Sequence, residues 1–249
     1  MQRPHVYTLS ALVITLVIGG IVLAFKNPSP LHLPSSTTSK NQTSSSQKNN
    51  VPPTGFNKQL YSISDPASIW VVVNKTRPLN PNTYAPSALT PIGNGQLMRL
   101  QSAQALATLF AAAKTAGFSL YAESGYRSYG TQAGVYASEV KNFGQATADS
   151  ESARPGYSEH QTGWAVDIAS PGCVEDCFGK TTAAAWVNSN AYTYGFIQRY
   201  PTDKTAITGY RNEPWHYRYI GVLLATEMRN KSIKTLEEFF GLPPAPDYK

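Results

Sequence analysis

Four histidines occur among the 249 residues, and His160 and His216 are the two that fall where aromatic residues are plentiful enough to build a core. Residues 158–167 read SEHQTGWAVD, which sets an imidazole and a carboxylate seven positions apart, with Gly163 and Ala165 between them. Zinc accepts imidazole nitrogen and carboxylate oxygen at about 2.0–2.2 Å, usually in tetrahedral geometry. A glycine lets the backbone turn so that both donors converge. Asp167 stands between Val166 and Ile168, so on a strand its side chain points away from theirs. A carboxylate there is costly to bury unless it is paired or holds a metal. Singly, each residue also fits a plainer role: Asp167 as an arginine's partner, His160 as a hydrogen-bonded core histidine.

Residues 213–219 read EPWHYRY, with His216 three positions after Glu213. Pro214 disfavours helix at the residue before it, so the run is a strand or an extended loop. His216 could supply a third ligand and leave one position open, as a catalytic zinc requires. Glu213 would then stand near that position as general base, because zinc brings the pKa of water down to about 7. A surface ion pair with Arg211 or Arg218 would account for Glu213 equally. Residues 124–132, SGYRSYGTQ, put Arg127 in a glycine-containing turn. Its guanidinium could stabilise the charge that builds on an attacked carbonyl oxygen. It could also grip a terminal carboxylate through paired hydrogen bonds.

The elements needed to hold these groups can be read from periodicity. Ile69–Val73 is a short β-branched run, predicted as a strand. Met98–Ala116 carries apolar residues at helical spacing (Leu100, Ala103, Leu106, Phe110, Ala113), with Gly117 as its stop. Strands are predicted at Phe118–Ala122, Ala165–Ala169, Phe196–Tyr200 and Trp215–Tyr219, and helices at Tyr129–Asn142 and Thr181–Tyr192. Thr235 and Glu238 have capping-box spacing before a last short helix. Helices and strands intermix without regular βαβ alternation, which predicts an α+β fold with a mainly antiparallel sheet flanked by helices.

Together the three clusters resemble the VanY-like D-alanyl-D-alanine carboxypeptidases, a metallopeptidase family with relatives acting on D,D- and L,D-bonds. The family pattern Ser-x-His-x-x-Gly-x-Ala-x-Asp is met at Ser158, His160, Gly163, Ala165 and Asp167. Its Glu-x-Trp-His element is met at Glu213, Trp215 and His216, and its arginine turn at Gly125, Tyr126, Arg127 and Ser128. Residues 73–86 and 190–201 share the likeness, which spans roughly residues 60–240. The resemblance implies one zinc ion held by His160, Asp167 and His216, with Glu213 as catalytic base. It implies that Arg127 stabilises the oxyanion or orients substrate, and that Ser158 and Gln132 contact the peptide near the cleaved bond. The implied substrates are peptidoglycan stem peptides. A stem endopeptidase of the same fold and a non-catalytic, zinc-stabilised wall-binding module are the alternatives.

The rest of the chain bears on location. Thr8–Phe25 is a run of eighteen residues without a charge, preceded by Arg3. A membrane-crossing helix needs about 20 residues, and the preceding positive charge favours a cytoplasmic N-terminus. Residues 27–57 turn to Ser, Thr, Asn, Gln and Pro, a composition that cannot bury enough apolar surface to offset ordering. The predicted organisation is a membrane anchor at 1–26, a flexible linker at 27–57 and one catalytic domain at 58–249. The expected location is the cell membrane, single-pass, with the catalytic domain on the cell-wall side. A cleaved signal peptide, which would make the protein secreted, is the competing reading. A net charge of +6 suits an anionic polymer or membrane surface, or simply solubility. No basic run or motif points to nucleic acid. Cys173 and Cys177 could close a small disulfide loop, stay free, or bind metal.

Overall fold

The computed structural model describes residues 55–249. The predicted membrane run at Thr8–Phe25 and nearly all of the linker lie outside the described residues. Among those described, no helix is long and apolar enough to cross a membrane.

A two-stranded hairpin, β1 (Thr90–Pro91) and β2 (Leu97–Met98), leads into α1 (Leu100–Thr115). The helix buries Ala103, Leu106, Leu109 and Ala113, an apolar stripe at helical spacing, and Gly117 follows with φ +89°. Then come β3 (Tyr121–Ser124), α2 (Tyr129–Phe143), α3 (Gln145–Glu151), a 3₁₀ turn at Glu159–Thr162 and β4 (Ala165–Ala169). Short α4 (Glu175–Phe178) and α5 (Thr182–Asn190) precede a 3₁₀ turn at Ala191–Tyr194 and β5 (Phe196–Gln198). The chain closes with α6 (Thr205–Thr208), β6 (His216–Tyr219), α7 (Val222–Asn230) and α8 (Leu236–Phe240). At α8, Thr235 caps the helix by accepting from the Glu238 amide at 3.2 Å.

The main sheet has the order β3-β4-β6-β5, and every pairing in it is antiparallel. The fold is therefore α+β with antiparallel sheets and flanking helices, as periodicity predicts. Register does the functional positioning. Asp167 on β4 lies opposite both His216 on β6 and Ser124 on β3, so residues distant in sequence become cross-strand neighbours.

Among the differences from the sequence-based expectation, two concern predicted strands before β4. Ile69–Val73 is buried, as expected of a core run, but it joins no sheet. Its carbonyls are satisfied by side chains instead: Arg218 Nη2 donates to Ile69 O and Val71 O at 3.0 and 2.9 Å, and Arg77 Nε to Val72 O at 3.2 Å. Buried carbonyls need partners, and guanidinium groups can stand in for a strand. The strand expected at Phe118–Ala122 begins later, at Tyr121, where pairing with Ala169 starts.

Candidate active site

Three buried donors meet on the inner face of β4 and β6. His160 Nε2 lies 3.2 Å from Asp167 Oδ2, and His216 Nδ1 lies 3.1 Å from Asp167 Oδ1. One ligand atom from each of the three falls within 4.8 Å of the others. His160 is held from behind by a 2.6 Å hydrogen bond between its Nδ1 and the Gly125 carbonyl. A carbonyl only accepts, so Nδ1 carries the hydrogen and Nε2 presents a lone pair to the cluster. Gly125 is what allows this approach, because a Cβ there would collide with the Leu97 carbonyl of β2.

This arrangement is uncomfortable without a cation. Burial, and then Arg127, push the His160 imidazole down to about 4, so it is neutral at pH 7. Its Nε2 lone pair then faces the Asp167 carboxylate, acceptor against acceptor. Nε2 of His160, Oδ1 of Asp167 and Nε2 of His216 all lack a hydrogen-bond partner. Burial works against a charged His216, but the carboxylates of Asp167 and Glu159 outweigh it and hold the imidazole up to about 9. A protonated His216 answers the same demand for positive charge that a divalent ion would, and the two compete. Two imidazole nitrogens and a carboxylate are the donor set of a catalytic zinc, and the residues present fit one.

Glu213 and Arg127 flank the cluster. Glu213 Oε2 is 3.6 Å from His216 Nδ1. Burial raises its pKa to about 7, helped by the charge of Asp167 and opposed by His216, Arg127 and Arg211. Arg127 Nη2 reaches Asp167 Oδ2 at 3.3 Å, while Nε and Nη1 donate to Ser124 Oγ and Gln132 Oε1 at 3.1 and 3.0 Å. Gln132 is buried and fully engaged, since its amide also donates to Ala153 O at 2.7 Å. Its geometry therefore positions Arg127 and the 152–153 loop. Ser158 is buried beside His160. All seven of these residues line one cavity of about 400 Å³. A cavity of about 440 Å³ elsewhere, beside β5 and α7, contains none of them.

Cys173 and Cys177 form a disulfide, with Cα atoms 5.1 Å apart, so neither thiol is free to bind metal. Sequence reasoning passed over Glu159. It is fully buried, its Oε1 accepts from Arg199 Nε and Arg218 Nη1 at 2.9 and 2.8 Å, and its Oε2 lies 3.5 Å from His216 Nε2. The available signal was an acid directly preceding a candidate ligand.

Over residues 95–222 the sequence matches the VanY family, D-alanyl-D-alanine carboxypeptidase. The chain belongs to this family, and that makes it a carboxypeptidase. Among its relatives is YodJ of Bacillus subtilis (strain 168), 42% identical over 193 residues, which are 73% of this chain and 70% of YodJ. Its fold is similar to the LdcB LD-carboxypeptidase, solved in a study of peptidoglycan recognition, with a TM-score of 0.65 and 42% identity. That match covers 71% of this chain and 87% of LdcB. It is also similar to a VanY D,D-pentapeptidase variant from a vancomycin-resistance cassette in complex with Zn(II). There the TM-score is 0.62 and the identity 35%, over 68% of this chain and 97% of the other.

Proposed function

We propose that this protein is a zinc-dependent carboxypeptidase that removes the terminal D-alanine from peptidoglycan stem peptides. One ion would be held by His160 Nε2, the Asp167 carboxylate and His216 Nδ1. The observation that carries this reading is the convergence of one buried ligand atom each from His160, Asp167 and His216 within 4.8 Å of one another, with unpartnered buried atoms on all three. When bound, zinc supplies Lewis acidity that polarises the peptide carbonyl and acidifies water.

The remaining chemistry belongs to side chains. Glu213, buried at the edge of the cluster, takes a proton from the attacking water and returns it to the leaving amine. Its raised pKa suits both transfers near neutral pH. Arg127 is fixed by Ser124, Gln132 and Asp167, so its guanidinium is oriented before negative charge develops on the carbonyl oxygen. Ser158 offers a hydroxyl to the peptide near the cleaved bond. The charge-free run at Thr8–Phe25 supports a membrane-anchored protein with this domain on the cell-wall side.

The test is to incubate the protein with defined tetra- and pentapeptide stems and weigh the products. Loss of one D-alanine from the pentapeptide marks a D,D-enzyme, loss from the tetrapeptide an L,D-enzyme, and internal cuts an endopeptidase. Glu213→Gln should retain zinc by metal analysis while hydrolysis drops by about 10²–10⁴-fold. A Glu213→Gln protein as fast as the parent would refute the mechanism.

A further inference from the structure

Helix α2 contributes a row of side chains to the catalytic cavity. Gln132, Val135, Glu139 and Phe143 are spaced three, four and four residues apart, so they share one face of the helix, and all four line the cavity that holds His160, Asp167, Glu213 and His216. Gln132 is buried at the inner end, against Arg127. Phe143, in the last position of the helix, is 61% exposed and is not part of the hydrophobic core. Phe143 lines the catalytic cavity with most of its ring open, so a ligand in the cavity can pack against it.

The length of the row says what it contacts. Eleven residues of helix at 1.5 Å each separate Gln132 from Phe143 by about 16 Å. An extended peptide rises about 3.3 Å per residue, so the row spans about five residues of substrate. We propose that Phe143 is a binding residue for the amino-terminal end of the stem peptide, packing on its alanyl methyl and the acyl group joined to it, while the carboxyl-terminal residue lies at the catalytic cluster. This rests on the carboxypeptidase reading above and extends it: the groove measures the whole stem rather than the terminal dipeptide alone.

The experiment compares a long and a short substrate on the full-length protein. The long one is an N-acetylmuramyl stem peptide of whichever length the parent trims. The short one is the matching diacetyl-lysyl peptide, ending in one or two D-alanines. In Phe143→Ala the ratio of KM for the long substrate to KM for the short one should rise roughly tenfold, with the kcat ratio unchanged. Phe143→Tyr should restore the parental KM ratio. Equal factors on both substrates, or no change on either, overturn the inference while leaving the carboxypeptidase reading intact. A parent that trims neither substrate overturns that reading, and the inference with it.

Discussion

Glu159 and His160 are neighbours in the chain yet belong to opposite kinds of polar cluster. Deeper in the interior, on the same face of the sheet as Asp167 and His216, Glu159, Arg199, Arg218, Glu237 and Asn74 form a back network with side chains at 0–1% exposure. Arg199 donates to Glu159 and twice to Glu237, at 2.7 and 2.9 Å, and Arg218 donates to Glu159 and to three backbone carbonyls. Glu159 Oε2 is the one carboxylate oxygen there left without a partner, and it faces His216. In front, the cluster of His160, Asp167 and His216 keeps buried atoms unmatched and opens on a cavity. The lesson is that burial of charge alone does not mark a functional site. A network whose charges are paired with one another is scaffold, whereas several unmatched atoms aimed at one point mark chemistry.

If this contrast is right, mutations in the two clusters should separate activity from stability. The largest effect is expected from Asp167→Asn, which should lose bound zinc and reduce hydrolysis by about a thousandfold or more, the size of several kcal/mol of lost transition-state stabilisation. Measured in chelator, its Tm should fall by only a few degrees, because the charge that Arg127 and His216 lose is one whose burial was itself costly. A fall as large as that of Glu159→Ala would mean the front cluster is structural. Glu159→Ala should do the reverse and destabilise the fold by about 3–5 kcal/mol, since it leaves two buried guanidinium groups short of charge. Denaturant titration reads this directly.

The pH dependence of that second effect has a fixed sign. Burial alone would raise the Glu159 pKa, but Arg218 and Arg199 outweigh it and hold the carboxyl well below the usual range. Its folded pKa is thus lower than its unfolded value of about 4.3. Its contribution is fully present above that value and is lost as pH falls toward the folded pKa. The Tm gap between the parent and Glu159→Gln should therefore narrow as pH drops below about 4. A gap that widens on acidification would refute the charge pairing. Smaller still in its effect on folding, Arg127→Lys should cut kcat by about 10²–10³-fold with little change in Tm. An ammonium cannot span Ser124, Gln132 and Asp167 together.

Much of the front cluster was legible in sequence because a strand has period two and its neighbours alternate. Asp167, between Val166 and Ile168, could be placed on the face opposite theirs before any pairing was known. Its register, opposite His216, is a tertiary fact that spacing alone does not supply. The back network was illegible for a related reason. Arg218 read as a possible surface partner of Glu213, Arg199 was not singled out, and Ile69–Val73 read as a strand, because nothing local shows that Arg218 supplies the run's missing hydrogen bonds. Gln132 reads as a substrate contact by resemblance, yet its amide is spent on Arg127 and Ala153. Helix α7 was missed because its short apolar stripe, Leu224, Ala225 and Met228, follows directly on a strand.

The smallest expected effect sharpens the comparison most, because it touches the back network without removing a charge. Asn74 is 1% exposed, and its Nδ2 donates to Glu237 Oε1 at 2.8 Å. The same oxygen already accepts from Arg199 Nη2 at 2.7 Å, so losing the amide leaves Glu237 paired. Asn74 Oδ1 in turn accepts from the Thr76 amide at 3.0 Å, which half-exposed surroundings let water replace. Asn74→Ala should therefore cost about 1–2 kcal/mol, a lost hydrogen bond rather than a stranded ion. Neither kcat nor zinc affinity should change, since Arg199 still holds Glu159 in place behind His216. Should Asn74→Ala instead weaken zinc binding, the two clusters would be mechanically one, and scaffold and site could not be separated at Glu159.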